Sequence, residues 1–186
     1  CVGYGNTLNY KKTFLNNHTI DNVIEYILKS YDSILVDYTP TGSDERQYSS
    51  PGIEIPCGSL MRTPYNQFKE YHTSFDTLDL VSVALIKELS YIYRDIILLY
   101  ESKPKIVSNI AGCEPFLSKH KLYREISTPG ISNSELLINW IMHLSNGKNN
   151  SIDICKKSGY PLDIIEATIE ILIEKNLICY ESKDRV

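Results

Sequence analysis

Helical and strand-like hydrophobic patterns alternate along the chain. In TIDNVIEYILKSYD, Ile20, Val23, Ile24, Ile27 and Leu28 recur at i, i+3, i+4 and i+7, with Thr19 as a candidate N-cap. The β-branched run SILVDY (33–38) runs into TPTGSD and predicts a buried strand ending in a loop. GIEIPCGSLM (52–61) predicts another strand, Pro56 marking a bulge or an edge position. Asp76, with Asp79 three residues on, predicts the cap of a long helix reaching about Lys103. Its stripe is Leu78, Val81, Leu85, Leu89, Ile92, Ile96 and Leu99, widened by Ala84, Ile86, Tyr93 and Ile97. Such a helix is on the order of 40 Å long, and so wide an apolar face needs a sheet or another large surface to cover it.

Residues 104–132 contain glycine and proline with little periodicity and predict a linker that crosses the surface and changes domain. From Asn133 the helical period returns. Leu136, Leu137, Trp140, Ile141 and Leu144 mark a first helix, and SIDICKKSGY a second, with Ser151 as its cap and Gly159 at its end. PLDIIEATIEILIEKN marks a third, with Pro161 in its first turn, and LICY is a short strand. Three helices and a strand, the last two helices joined by a Gly-containing turn, outline a winged helix-turn-helix. The upstream rhythm of helix, strand, loop and strand is that of an α/β layer.

Composition narrows the function classes. Hydrophobic residues make up 42% and charged residues 23% of the 186 positions, near the globular average. A net charge of −4 gives no general attraction for nucleic acid or anionic membranes. No apolar run approaches the roughly 20 residues of a membrane span, and no signal peptide is visible. The five cysteines (Cys1, Cys57, Cys113, Cys155 and Cys179) are widely spaced without a CxxC, which favours reduced thiols and a cytoplasmic location. The chain opens on CVGYG rather than on Met, which predicts a C-terminal piece of a longer protein.

Few residues stand out as carriers of chemistry. His72, in EYHTSFDTLD, is a metal ligand, an acid/base group or a plain surface residue, and no second histidine or cysteine lies at ligand spacing. GSDERQYSSPG puts Asp44, Glu45 and Arg46 in a loop directly after a strand, where α/β sheets commonly bind ligands; a solvated turn has the same composition. Arg62, in GSLMRTPY, is placed either to clamp a carboxylate or to bridge to Glu45 or Glu70. His18, His120 and His143 read as non-catalytic, and no phosphate loop or nucleophile elbow is present.

Taken together, GSDERQYSSPGIEIPCGSLMRTPYNQFKEYHTSFDTLD resembles the bacterial aminopeptidase-like proteins that end in a winged helix and often accompany polysaccharide-biosynthesis genes. These are similar to the co-catalytic zinc aminopeptidases, whose fold also appears in glutaminyl cyclases and transferrin receptors. The resemblance extends to CVGYGNTLNYKKT and GCEPFLSKHKLY and covers nearly the whole chain. It implies a partial aminopeptidase-like α/β/α sandwich over residues 1–128 and a winged helix over 129–186. It implies that His72, the histidine of the YHTxxD motif, is a zinc ligand and that Asp44, Glu45 and Arg62 shape the pocket for a peptide or amide substrate. The family's other ligands and its general base lie upstream of the matching region. No catalytic residue is therefore expected in this chain, and independent hydrolysis is not expected. The alternative is a non-catalytic peptidase-fold binding protein. The third winged-helix helix carries Asp163, Glu166, Glu170 and Glu174 against Lys175, which points to a protein partner rather than DNA.

Overall fold

A computed structural model of the chain describes residues 1–122 and 133–182. It divides into two compact units, Cys1–Glu101 and Ser102–Val186. The first is built on a strand that the hydrophobic pattern did not reveal, β1 (Leu8–Lys11), all four of whose residues are buried. Helix α1 (Thr19–Leu28) carries the chain across to β2 (Ser33–Val36), which pairs with β1 in parallel, Leu8 opposite Ser33 and Lys11 opposite Val36. After the single turn α2 (Glu45–Tyr48), β3 (Ser59–Met61) pairs antiparallel on the other side of β1, giving the order β2-β1-β3.

The start of α1 shows how the sequence fixes this βαβ unit. His18, rather than Thr19, is the N-cap: its Nδ1 accepts from the Ile20 amide at 3.3 Å. The Asp21 carboxylate reaches back to the His18 amide at 2.9 Å, completing a capping box. Asp21 is fully buried and also accepts from the Tyr10 hydroxyl at 2.7 Å and from the Thr13 amide and hydroxyl at 2.9 and 2.6 Å. The end of β1, the following loop and the start of the helix are thus tied to one carboxylate. Val23, Ile24 and Leu28 are buried on the inner side of α1.

Three expectations change. SILVDY is not a buried strand: β2 is the edge of the sheet, with Ile34, Leu35 and Val36 exposed by 53%, 43% and 43%. Gly52–Met61 is not one strand, because the Ile53 and Glu54 amides fold back on the Ser50 carbonyl and Glu54 takes φ +52°. The long helix does not begin at Asp76. A 3-10 turn covers Leu78–Leu80, and its flanks, Thr77 and Val81, are extended. Helix α3 (Val83–Ser102) starts only after Ser82, whose hydroxyl accepts from the Leu85 amide at 3.4 Å. Of the predicted stripe, Leu89, Ile92 and Ile96 are buried and Leu85 and Leu99 partly so, while Leu78, Val81, Ala84, Ile86, Tyr93 and Ile97 are exposed.

The second unit opens with β4 (Ile106–Ser108), inside the stretch expected to be a linker. It continues through α4 (Asn133–Leu144), α5 (Ser151–Ser158) and α6 (Leu162–Glu174) to β5 (Ile178–Tyr180). β4 and β5 pair antiparallel, Ile106 opposite Tyr180. Ile106 is fully buried in a core with Ile141, Ile154, Ile165, Ile169 and Leu172. The expected boundary at 128/129 lies outside the described residues, and the unit already begins at Ser102 because β4 completes its sheet. Asn150, not Ser151, caps α5 by accepting from the Ile152 and Asp153 amides at 3.0 Å each. Gly159 ends that helix in the left-handed conformation, φ +77°, as its position in the sequence predicts.

Because Ile92 is buried and Leu85 only partly so, the two truncations separate. Ile92→Ala is expected to cost roughly 2–5 kcal/mol and Leu85→Ala about half as much or less. Urea unfolding checks this; equal losses at both positions would mean that the two side chains are equally enclosed.

Candidate functional site

Lys11 ends β1, and its ammonium is almost closed off from water. It pairs with Glu45 Oε1 at 3.1 Å, donates to the Thr41 carbonyl and lies 5.3 Å from the centre of the Tyr38 ring. The Glu45 side chain is only 2% exposed, and the same Oε1 accepts from the Tyr65 hydroxyl at 2.9 Å. Two loops far apart in sequence are therefore held at the C-terminal end of β1, the end at which parallel α/β sheets commonly place ligands. Gly42 makes room for this. Its φ is +107°, and a Cβ there would fall 2.1 Å from the Tyr65 hydroxyl oxygen. Asp44 is exposed beside Glu45 and makes no capping bond to α2.

Burial pushes the Glu45 carboxyl up, but Lys11, a backbone N–H and Tyr65 outweigh it, and the carboxyl sits below its ordinary range. Burial, then the bond to Glu45, pushes the Tyr65 phenol up to about 12, with a smaller contribution from Tyr71. Burial, then the charges of Glu45 and Asp44, raises the Cys57 thiol.

His72 lies on an exposed turn with φ +56°. Its ring stacks on Tyr71, centroids 4.0 Å apart and planes at 12°. Tyr71 meets Phe68 edge-on at 5.5 Å, and Phe68 meets Tyr4 at 5.3 Å, so the imidazole stands at the end of a row of aromatic rings. The turn is closed by the Thr73 hydroxyl, which donates to the Glu70 carbonyl at 2.8 Å and accepts from the Phe75 amide at 3.2 Å. Asp76 caps no helix here; the 3-10 turn starts after Thr77.

Arg62 is placed differently. Its side chain is 3% exposed and pairs with Glu88 of α3 at 2.5 Å, rather than with Glu45 or Glu70. It also donates to the Asn6 carbonyl at 3.2 Å, while its own carbonyl accepts from Asn9 at 2.5 Å. Arg62 follows Met61, which stands opposite Asn9, so it sits toward the start of β1 and Glu45 toward its end. The structure thus joins Glu45 to Lys11 and Tyr65, and neither His72 nor Arg62 bonds to that group. Lys11 and Tyr65 were not singled out from sequence; each lies in a quoted motif, but pairing across 34 and 20 residues leaves no local signal. His18 caps α1, His120 lies in the 3-10 turn Leu117–His120, and His143 in the last turn of α4. Among the described residues, no three His, Cys, Asp or Glu side chains gather to hold a metal ion, so they do not make a zinc site by themselves.

The depressed Glu45 carboxyl sets a pH window. Its stabilisation is present above the unfolded value, about 4.3, and is lost as pH falls through the lower folded value. The unfolding free energy of Glu45→Gln is expected to be lower at neutral pH and less steep in acid than that of the unmutated chain. Lys11→Met/Glu45→Gln should recover part of the loss seen in either single variant. Unfolding curves measured from pH 7 to pH 3 check this, and identical acid slopes would contradict it.

Comparison with known proteins fits this description. Residues 1–103 match the model of the DUF4910 domain of unknown function, and residues 105–180 match a winged helix-turn-helix model. A Clostridium acetobutylicum protein, provisionally named as a polysaccharide biosynthesis protein with an aminopeptidase-like domain, is 36% identical over 183 residues. That match covers 96% of this chain and 42% of the relative. A crystal structure from the same organism, provisionally described as a peptidase, superposes with a TM-score of 0.65 at 32% identity, over 97% of this chain and 40% of that one. The chain spans about two fifths of the length of the relatives it matches. With more than half of its residues inside the first model and the second unit inside the other, the chain belongs to the DUF4910 family, its member domain followed by a winged helix-turn-helix.

Proposed function

We propose that the chain is the C-terminal portion of a zinc-dependent aminopeptidase-like protein, acting in its complete form on a peptide or a related amide. The observation that carries this reading is the similarity along almost the whole chain to relatives provisionally named as aminopeptidase-like or peptidase. His72 is our candidate for one zinc ligand. Its ring is exposed and oriented by stacking on Tyr71, and neither ring nitrogen has a hydrogen-bond partner among the described residues. Asp44 is exposed and available to substrate, Glu45 holds its loop in place through Lys11 and Tyr65, and Arg62 acts from a distance by fixing the start of β1 to α3. A catalytic zinc site takes about three protein ligands, and the described residues assemble no such set, so no hydrolytic step is assigned to them. By itself the chain is expected to be inactive.

For the winged unit the same reading proposes a protein partner rather than DNA. On α6, Glu166 is engaged by Lys103 and by the Ser151 hydroxyl, and Glu170 accepts from the Tyr180 hydroxyl at 2.9 Å. A helix with Asp163 and Glu174 added to these repels phosphates that would have to be met by Lys or Arg. A cytoplasmic location is supported by five free cysteines, and no helix among the described residues is long and apolar enough to cross a membrane.

Zinc binding tests the first part. The chain should bind zinc weakly in a chelator competition, His72→Ala should bind it more weakly still, and His143→Ala should match the unmutated chain. Unchanged affinity in His72→Ala would make this histidine a loop residue only. For the second part, low-salt gel shifts with mixed-sequence duplexes should show no retardation at micromolar protein; a shift that weakens steeply with salt would overturn it.

A further inference from the structure

Helix α6 of the winged unit has two apolar rows. Ile165, Ile169 and Leu172 are fully buried in the core of the unit. Ile164, Ala167 and Ile171 recur at i, i+3 and i+7 and face outward, the two isoleucines exposed by 46% and 45%. Ala167 is short, so the outer row has a hollow between two branched side chains. At roughly 100° per residue, Asp163, Glu170 and Glu174 fall together on one flank of this row, and all three are exposed. Among the described residues no lysine, arginine or histidine forms an ion pair with any of them.

Beyond that flank lies a cleft of about 290 Å³, lined by Lys103, Ser151, Glu166, Glu170 and Tyr180. Glu166 and Glu170 stand one turn apart on α6. Lys103 and the Ser151 hydroxyl engage Glu166, and the Tyr180 hydroxyl donates to Glu170 at 2.9 Å. Burial, then the bond to Glu170, pushes the Tyr180 phenol up to about 12, so it stays a neutral donor at physiological pH. Two carboxylates against one ammonium leave the cleft with negative charge in excess.

An exposed apolar row bordered by acids is complementary to a basic amphipathic helix. We propose that the outward face of α6 is a docking surface for such a helix from a protein partner. Its apolar side chains pack on Ile164, Ala167 and Ile171, and an arginine from its basic flank enters the cleft beside Glu166 and Glu170. A guanidinium suits that cleft because its planar fork can meet two carboxylates at once. A second copy of this chain offers no such complement. Its α6 and the cap that follows carry only Lys175 as a basic residue, and antiparallel pairing sets acid flank against acid flank. The proposal rests on the protein-partner reading of the winged unit and names the chemistry of that partner.

The test is fluorescence anisotropy with three labelled helical peptides added to the whole chain. The first has a leucine stripe flanked by arginines, the second has glutamates in place of the arginines, and the third has serines in place of the leucines. Only the first is expected to bind. Ile164→Ser/Ile171→Ser and Glu170→Gln/Glu174→Gln should each weaken it about tenfold or more. Leu136→Ser, which removes a similarly exposed apolar side chain from α4, should leave the affinity unchanged. Amide exchange in α4 and α5 equal to that of the unmutated chain separates lost docking from lost folding. No binding of the first peptide would overturn the proposal. So would equal binding of all three peptides, or binding that both double variants retain. Retardation of a DNA duplex by the chain would instead overturn the protein-partner reading on which the proposal rests.

Discussion

Full burial of β1 is the constraint on which the first unit depends. Four residues, Leu8–Lys11, form the central strand, and three of them carry polar groups. A buried polar group without a partner costs on the order of 1–3 kcal/mol, and a buried charge more. Each of these side chains therefore recruits a distant segment. Asn9 donates to the Arg62 carbonyl, Tyr10 to the Asp21 carboxylate, and Lys11 to Glu45 and Thr41. Burial that would be a liability for an isolated strand becomes the means by which loops more than 30 residues away are put in place.

The candidate site follows from the last of these contacts. Lys11 fixes Glu45, Glu45 fixes Tyr65, and the chain after Tyr65 runs into the aromatic row that ends at His72. Close packing leaves no room for a side chain at two points. Gly42 lies against the Tyr65 hydroxyl, and a Cβ on Gly58 would come within 2.5 Å of the Tyr10 hydroxyl oxygen. Burial raises the Tyr10 phenol, and its bond to Asp21 raises it further, so it remains a donor to that carboxylate across the ordinary pH range.

How much of this was legible follows from which signals are local. Helices α1, α4 and α6 carry apolar residues at helical spacing, and sequence placed them well. β1 was missed because LNYK alternates nothing: Asn9 and Lys11 read as surface residues until their partners are known. β2 is legible as a strand but not as an edge, since SILV reads the same at a sheet's centre and at its edge. β4 is three residues long between Lys105 and Asn109, too short for a period, so its stretch reads as a linker. At the site, position just after a strand marks Asp44, Glu45 and Arg62, and motif resemblance marks His72. Neither shows that Arg62 turns to Glu88, or that Lys11 and Tyr65 complete the group, because those contacts are made by the fold.

A charge buried at the end of β1 organises the loops of the site. Amide hydrogen exchange on Lys11→Met tests it most directly. Residues 39–48 and 63–72 should lose protection together, while α4, α5 and α6 of the second unit keep theirs. Unchanged protection in both loops would contradict the account, and so would loss spread equally over both units.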